Sequence, residues 1–356
     1  MTTELSTNPD APLIDTLSAK VHDFVRQHVP QGTVALIDYP QHENVGDSAI
    51  WTGEMAALDQ ARWPIAYVAE RRFHNDAEMR RRLGDGTILL HGGGNLGDLW
   101  PLHQRFRESI VDKHRSTKIV QLPQTVFFRD DTARVAAGEV LSRHGDLTIA
   151  ARDDRSVELL RSMGLRGELV PDAAFCLGPM ARPRPSHRDR GGRVLWLGRT
   201  DHESLIAAHA SHDITVTDWL RSPKPPASEP GARTLFHVTA FMHRCRRHGQ
   251  GRLPVATPLS ACFLKAAQLR VLRGAHLLSD ADVVITDRLH AHILCVLLGI
   301  PHVMLPDRYG KLSTFWHTWT SGSRLATWCD TPDDALATAL RLCGDAVSLQ
   351  HEGSAS

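Results

Sequence analysis

A rhythm constrains this chain more than any single residue does. Short apolar runs alternate with amphipathic stretches long enough for helices. TVALIDY (33–39), IAYVAE (65–70), GTILLHG (86–92), KIVQLPQ (118–124), LTIAARD (147–153) and ELVPDAA (168–174) read as strands. Helices are expected between them at 48–61, 99–114, 131–144 and 153–163. A run such as TILL is apolar on both faces, as a parallel strand covered by helices above and below must be. The order β-α-β-α therefore predicts an α/β protein built on doubly wound sheets.

The rhythm breaks at PMARPRPSHRDRGG (179–192), which is rich in Pro and Arg and reads as a linker. It resumes in RVLWLGR (193–199), ITVTDWL (214–220), DVVITD (282–287) and HVMLPD (302–307). The 356 residues suit two domains of roughly 150 residues each. The expected division is 1–178 for an N-terminal Rossmann-like domain and 193–345 for a C-terminal one, with 346–356 as a disordered tail. Two such domains face each other across a cleft, and open α/β sheets bind ligands beyond the carboxyl ends of their strands. RSPKPPASEPGAR (221–233) and the locally basic FMHRCRRHGQGR (241–252) interrupt the second half.

Charge excludes one class of partner. Lys and Arg number 41 against 40 Asp and Glu, for a net +1. A nucleic-acid protein needs a strong basic excess, so none is expected as partner. The six cysteines form no C-x-x-C pair and read as free thiols of a reducing compartment. The segment MTTELSTNPD has no basic and apolar signal pattern. No apolar run approaches the roughly 20 residues that span a bilayer. These features predict a cytoplasmic protein without a membrane span.

Four polar clusters follow strands, where such a fold builds its site. YPQHENVGDSAI (39–50) offers Asn44, Gly46 and Asp47 in a turn, with Asp47 or Ser48 as the expected N-cap of the next helix. The turn is either a plain cap or an anion or hydroxyl site at a helix N-terminus. HGGGNLGDLW (91–100) carries Gly92, Gly93 and Gly94 in succession, which let backbone approach a ligand and present amides to it. The run is neither G-x-G-x-x-G nor a Walker loop, so no dinucleotide or ATP site is supported. Asn95 and Asp98 are candidates for sugar hydroxyls, and Asp98 is equally a helix cap. In QLPQTVFF and AARDDRS, Gln121 and Gln124 are neutral donors and acceptors. Arg152 ends a strand facing the cleft, and an ion pair with Asp153 or Asp154 is the plainer reading. Asp172 of VPDAAF stands at another strand end.

The fourth cluster is TDRLHAHILCVLLGIP (286–301). Its apolar second half demands burial, yet Arg288 and His290 stand at its start, where the helix dipole disfavours cations. Asp287 is the expected cap. A bound anion would satisfy both the amides and the side chains. The alternative is an ion pair from Arg288 to Asp282 or Asp307. His292 reads as packed or exposed, and Arg308 or Lys311 adds positive charge on the same rim. No metal-ligand spacing and no G-x-S-x-G elbow is present.

Taken in order, NVGDSAI, HGGGNLGD, QLPQT, ARDDRS, PDAAF and SDADVVITDRLHAHILCVLLGIPHVML make the chain resemble the polysaccharide pyruvyl transferase family, from about residue 34 to 316. The resemblance implies a two-domain arrangement like GT-B glycosyltransferases. It implies transfer of the enolpyruvyl unit of phosphoenolpyruvate to a sugar, closing a pyruvate ketal. The family's Arg-Leu-His motif matches Arg288, Leu289 and His290, so Arg288 is implied to bind the donor's anionic groups and His290 to be the acid/base. A further family arginine matches Arg152. Phosphoenolpyruvate is then a donor substrate, and neither cofactor nor metal is expected. The acceptor is expected to be lipid-linked or nucleotide-linked, which leaves peripheral contact with the inner membrane face open. The catalytic candidates are His290, Asp47 and Asp98. The substrate-binding candidates are Arg288, Leu289, Arg152, Gly92, Gly93, Gly94, Asn95, Asn44, Gln124 and Lys311. Two other readings stand beside this one: a GT-B-like glycosyltransferase using a nucleotide sugar, and a non-catalytic glycan-binding member.

Overall fold

In the computed structural model the described residues are 8–183, 193–198, 214–219 and 256–352. The linker's second part and both loops at 221–233 and 241–252 lie outside them. Seven parallel strands form the first sheet: β1 (Val34–Ile37), β2 (Ile65–Ala69), β3 (Thr87–Leu90), β4 (Gly93–Gly97), β5 (Ile119–Phe127), β6 (Leu147–Ala151) and β7 (Gly167–Leu169). They run in the order β2-β1-β3-β5-β6-β7, with β4 paired to the outer end of β5. The second sheet is also parallel: β8 (Val194–Leu197), β9 (Ile214–Thr217), β10 (Val283–Thr286), β11 (His302–Met304) and β12 (Ala326–Trp328), in the order β12-β11-β10-β8-β9. Every residue of β1, β3, β8 and β10 is buried, which explains their uninterrupted apolar sequences.

The helices are α1 (Ala11–His28), α2 (Val45–Gln60), α3 (Asp76–Leu83), α4 (Pro101–Lys113), α5 (Asp131–Ser142), α6 (Asp154–Ser162), α7 (Ala256–Ser279), α8 (Leu289–Leu298), α9 (Lys311–Phe315) and α10 (Pro332–Glu352). The four helices expected in the first half form within a few residues of their expected bounds. α1, α3, α7, α9 and α10 are additional. α10 continues to Glu352, so helix covers 346–352 of the segment expected as a disordered tail. No helix among the described residues is long and apolar enough to cross a membrane.

Two helices tie the halves together. Along α1, Ile14 and Leu17 pack into the core around α8, while Val21, Phe24 and Val25 pack under the first sheet. Just before α1, the Asn8 amide donates to the Val296 carbonyl of α8 at 2.8 Å. α7 follows β9 in the chain, yet its Leu259, Phe263 and Ala267 complete the first sheet's core, with Phe263 stacked on Tyr39 at 3.9 Å. Apolar faces from one half are thus buried by the other.

α8 is the most buried helix of the second half: every residue from Ala291 to Leu298 is buried. It stops at Gly299, whose φ of 68° is left-handed and suits a residue without a Cβ. Its start differs from expectation. Arg288, not Asp287, occupies the cap position in extended geometry, with no side-chain cap bond.

Candidate functional site

A cavity of about 400 Å³ lies between the two sheets at the carboxyl ends of their strands. From the first half it is lined by Asn44 and Asp47 at the start of α2, Gly94 and Asn95 of β4, and Arg152 after β6. The second half supplies Arg288, Leu289 and His290 at the start of α8, and Lys311 at the start of α9. Nine of the residues anticipated from sequence therefore share one wall-to-wall space. His42, Trp100, His103 and Trp219 also line it and were not anticipated.

α2 begins as its sequence dictates, one turn earlier than expected. Asn44 is the N-cap, accepting from the Gly46 amide at 3.0 Å and donating to the Asp47 carboxylate at 2.7 Å. Asp47 and Ser48 are thus helical rather than capping. The Asp47 carboxyl is held below its ordinary range: burial works against this, and His42, His290, His91 and Arg152 outweigh it. Gly46 matters by what it lacks, since a Cβ there would stand 2.5 Å from Nδ1 of His290. The two helix starts, α2 and α8, approach this closely only because residue 46 is glycine.

His290 and Arg152 meet at one carboxylate. Asp172 Oδ2 accepts from Arg152 Nη1 at 2.5 Å and lies 3.3 Å from His290 Nε2. Its Oδ1 accepts the Ala174 amide at 2.9 Å. Burial alone would raise the Asp172 carboxyl, but His290, Arg152 and that amide hold it far below the usual range. Arg152 is itself fixed by Nε donation to Thr125 Oγ1 at 2.8 Å, leaving Nη2 on the Gly94 side. The anticipated pair of Arg152 with Asp153 or Asp154 does not form. Asp153 instead accepts from the Ser156 amide and from Thr125 Oγ1. Arg288 pairs with the fully buried Asp218 at the end of β9. Neither expected partner holds it: Asp282 accepts the Arg193 amide, and Asp307 accepts the amides of Lys311 and Leu312.

The glycine run corrects one expectation. It is not a loose nest but strand β4. Gly97, at φ 130°, passes so close to β5 that a Cβ would overlap the Phe127 carbonyl. Gly92 donates to Glu54 Oε1 at 2.7 Å and faces protein. Gly93, at φ 119°, sits behind Asp47 and Ile50. Of the three glycines only Gly94 lines the cavity, and a Cβ there would come within 3.1 Å of Arg152 Nη2.

Two further anticipated residues stand outside the cavity. Asp98 accepts the amides of Arg129 and Asp130 at 2.7 and 2.9 Å, so it ties the turn after β5. Gln124 lies one layer back, where its amide bonds Asn95 Oδ1 at 2.9 Å and the His91 carbonyl at 3.0 Å. Arg107 also reaches Asn95 Oδ1, at 2.6 Å, and pairs with Asp38 at 3.0 Å. Asn95 is thereby held from two sides. His103 bonds the same Asp38 at 2.9 Å. His292 is packed, as one of its two readings had it, with Nδ1 2.7 Å from His302 Nε2 and Nε2 2.8 Å from Thr320 Oγ1.

Metal-ligand spacing gave no site in sequence, but among the described residues folding assembles one cluster with suitable donors away from the cavity. His74, Asp76 and His114 have ligand atoms all within 4.8 Å of one another.

Fold and site together define an α/β protein with two parallel sheets and a cavity whose described lining carries Arg152, Arg288 and Lys311 beside the carboxylate of Asp47, the two arginines each braced from behind by a buried aspartate. Such a lining suits a small, multiply charged anion. The profile of the polysaccharide pyruvyl transferase family matches residues 44–307, and the chain belongs to that family. It is 31% identical to pyruvyl transferase 1 of Schizosaccharomyces pombe over 336 residues, covering 86% of this chain and 75% of that protein. Identity to the putative pyruvyl transferase EpsO of Bacillus subtilis is 28%, across 82% of this chain and 87% of that one. The crystal structure of an uncharacterised Klebsiella pneumoniae protein superposes with a TM-score of 0.56 at 15% identity, covering 88% of this chain and 99% of that chain. That likeness concerns the fold alone.

Proposed function

We propose that the protein transfers the enolpyruvyl unit of phosphoenolpyruvate to a sugar of a cell-surface glycan precursor and closes it as a pyruvate ketal. Family membership supports pyruvyl transfer to a polysaccharide. One observation carries the finer reading: the His290–Asp172 pair and three cationic side chains converge on one cavity of a size suited to a small ligand.

In this scheme Arg288, Arg152 and Lys311 hold the donor's phosphate and carboxylate. His290 delivers a proton to the methylene carbon, and an oxocarbenium-like centre forms at C2. One sugar hydroxyl attacks C2, phosphate departs, and a second hydroxyl closes the ring. Of the two hydroxyl protons released, one ends on the new methyl and one on phosphate, so the reaction balances without redox chemistry. Asp172 orients the imidazole, in the way a buried carboxylate steadies a catalytic histidine. In this scheme Asp47, which lines the cavity, accepts the proton of the attacking hydroxyl. The scheme requires no cofactor or metal in the cavity.

A facing pair of Rossmann-like domains in the GT-B manner, a lipid-linked or nucleotide-linked acceptor and a cytoplasmic setting complete the proposal. The described cysteines, all free thiols, are compatible with that setting. The nucleotide-sugar reading has less support, because the cationic lining is compact and Asp47 is the only acidic side chain among the described lining residues.

The donor assignment is tested by calorimetric titration of phosphoenolpyruvate. The wild type should bind it. Arg288→Lys should bind it on the order of tenfold or more weakly, because a lysine keeps charge but not the planar fork. Unchanged affinity in Arg288→Lys would remove that residue's role.

A further inference from the structure

On the outer face of the first sheet, three side chains from separate elements turn towards one point. His74 follows the single 3-10 turn Arg71–Phe73, Asp76 is the first residue of α3, and His114 closes α4. Asp76 Oδ1 lies 2.9 Å from His74 Nε2 and 3.1 Å from His114 Nε2. None of the three lines the cavity.

We propose that His74, Asp76 and His114 form a structural site for a divalent first-row transition metal of the zinc type. Two imidazole nitrogens and a carboxylate oxygen are the donors that such ions take. Bonds of about 2.0–2.1 Å to a tetrahedral ion set ligand atoms roughly 3.3 Å apart, so each separation between Asp76 and a histidine needs to widen by only a few tenths of an ångström. The surroundings match as well. His74 Nδ1 lies 3.3 Å from the Tyr67 hydroxyl, so its second nitrogen has an oxygen to orient it, as bound histidines usually have. His74 is also wedged between the rings of Tyr67 and Phe106, at 5.7 and 5.4 Å. The two histidine side chains are 7% and 2% exposed while Asp76 is 25% exposed, which leaves an approach from solvent and room for a water as fourth ligand.

Lys113 binds the far oxygen, Asp76 Oδ2, at 3.0 Å and leaves Oδ1 to the histidines. A metal here would staple α3 to α4. α4 carries His103, at the cavity wall, and Arg107, which fixes Asn95. The inference is independent of the reaction proposed above.

The test uses the full, untagged chain stripped with chelator. Zn²⁺ is titrated calorimetrically, and Co²⁺ uptake is read by its visible absorption. One equivalent should bind, with the intense absorption of a tetrahedral cobalt site. His114→Gln should weaken binding on the order of 100-fold or more, since it removes a ligand outright. Lys113→Met keeps all three ligands and should retain the metal. Failure of the wild type to take up either ion would overturn the proposal. So would undiminished binding in His114→Gln, which would mean adventitious surface histidines. Equal losses in His114→Gln and Lys113→Met would also overturn it, since the effect would then be damage to α4 and not loss of a ligand.

Discussion

At the scale of residues, the site is an exercise in keeping charged groups where burial alone would forbid them. Asp172 and Asp218 are buried carboxylates, and each is matched to an arginine that borders the cavity. An unpaired charge at such depth would cost several kcal/mol, so the pairs hold each other in place. Gly46 is the most exposed weakness in this arrangement. Gly46→Ala places a methyl 2.5 Å from Nδ1 and 2.8 Å from Cβ of His290, so the start of α8 or of α2 must shift and the contact of His290 with Asp172 is disturbed. We expect turnover to fall on the order of 100-fold from the misplacement, with the chain still folded by circular dichroism. Full turnover in a folded Gly46→Ala chain would mean that the position of His290 is not critical. The motif residues themselves were legible in sequence: Arg288, His290, Arg152, Asn44 and Asp47 all line the cavity. Their partners were not. Asp172 is 118 residues from His290, and only the folded sheets bring them together. Asp172 and Asp218 did carry a signal, since each is an acidic residue shortly after a strand, and Asp172 was singled out for that position.

At the scale of elements, strands were read well and helices unevenly. β1, β3 and β10 are continuous apolar runs, and burial on both faces leaves little else for them to be. β4 could not be read, because a glycine run has no strand propensity of its own. It is a strand only because β5 accepts its backbone at close range. α3 is short and strongly charged, so periodicity hardly marks it, and Asn75 and Asp76 at its start are the only plain signal. The apolar stripe of α1, by contrast, has regular helical spacing at Ile14, Leu17, Val21, Phe24 and Val25. α8 makes a prediction of its own. It carries His292 into the core against His302, and burial pushes His302 down to about 4 and His292 well below its ordinary value. The native pair therefore stays neutral at pH values where an unfolded chain takes up protons, near 6.5. Stability from His302 is complete above that value and is lost as pH falls towards 4, by on the order of 3 kcal/mol. Urea unfolding at a series of pH values should show midpoints declining below about 6.5. A constant midpoint between pH 7 and pH 5 would show that the histidines carry no such burden.

At the scale of the whole molecule, the cavity exists because the halves are interlocked. α1 and α7 each bury residues with the opposite half, and the Trp319 indole donates to the Arg152 carbonyl at 2.9 Å across the cleft. The cavity-lining groups of α8 and α9 and those of α2, β4 and Arg152 are thereby held around one space. The expectation of two units joined by a linker missed this interlocking, since nothing local in the sequence of α7 says which sheet it will cover. The most direct test of the central claim is phosphate release from phosphoenolpyruvate with a panel of nucleotide-linked and lipid-linked sugars, read together with the mass of the sugar product. The account predicts acceptor-dependent release, a product with the mass of a pyruvate ketal, and a loss of roughly 10²–10⁴-fold in His290→Ala. Acceptor-dependent release that His290→Ala leaves intact, or a product carrying a sugar in place of a pyruvate ketal, would contradict it.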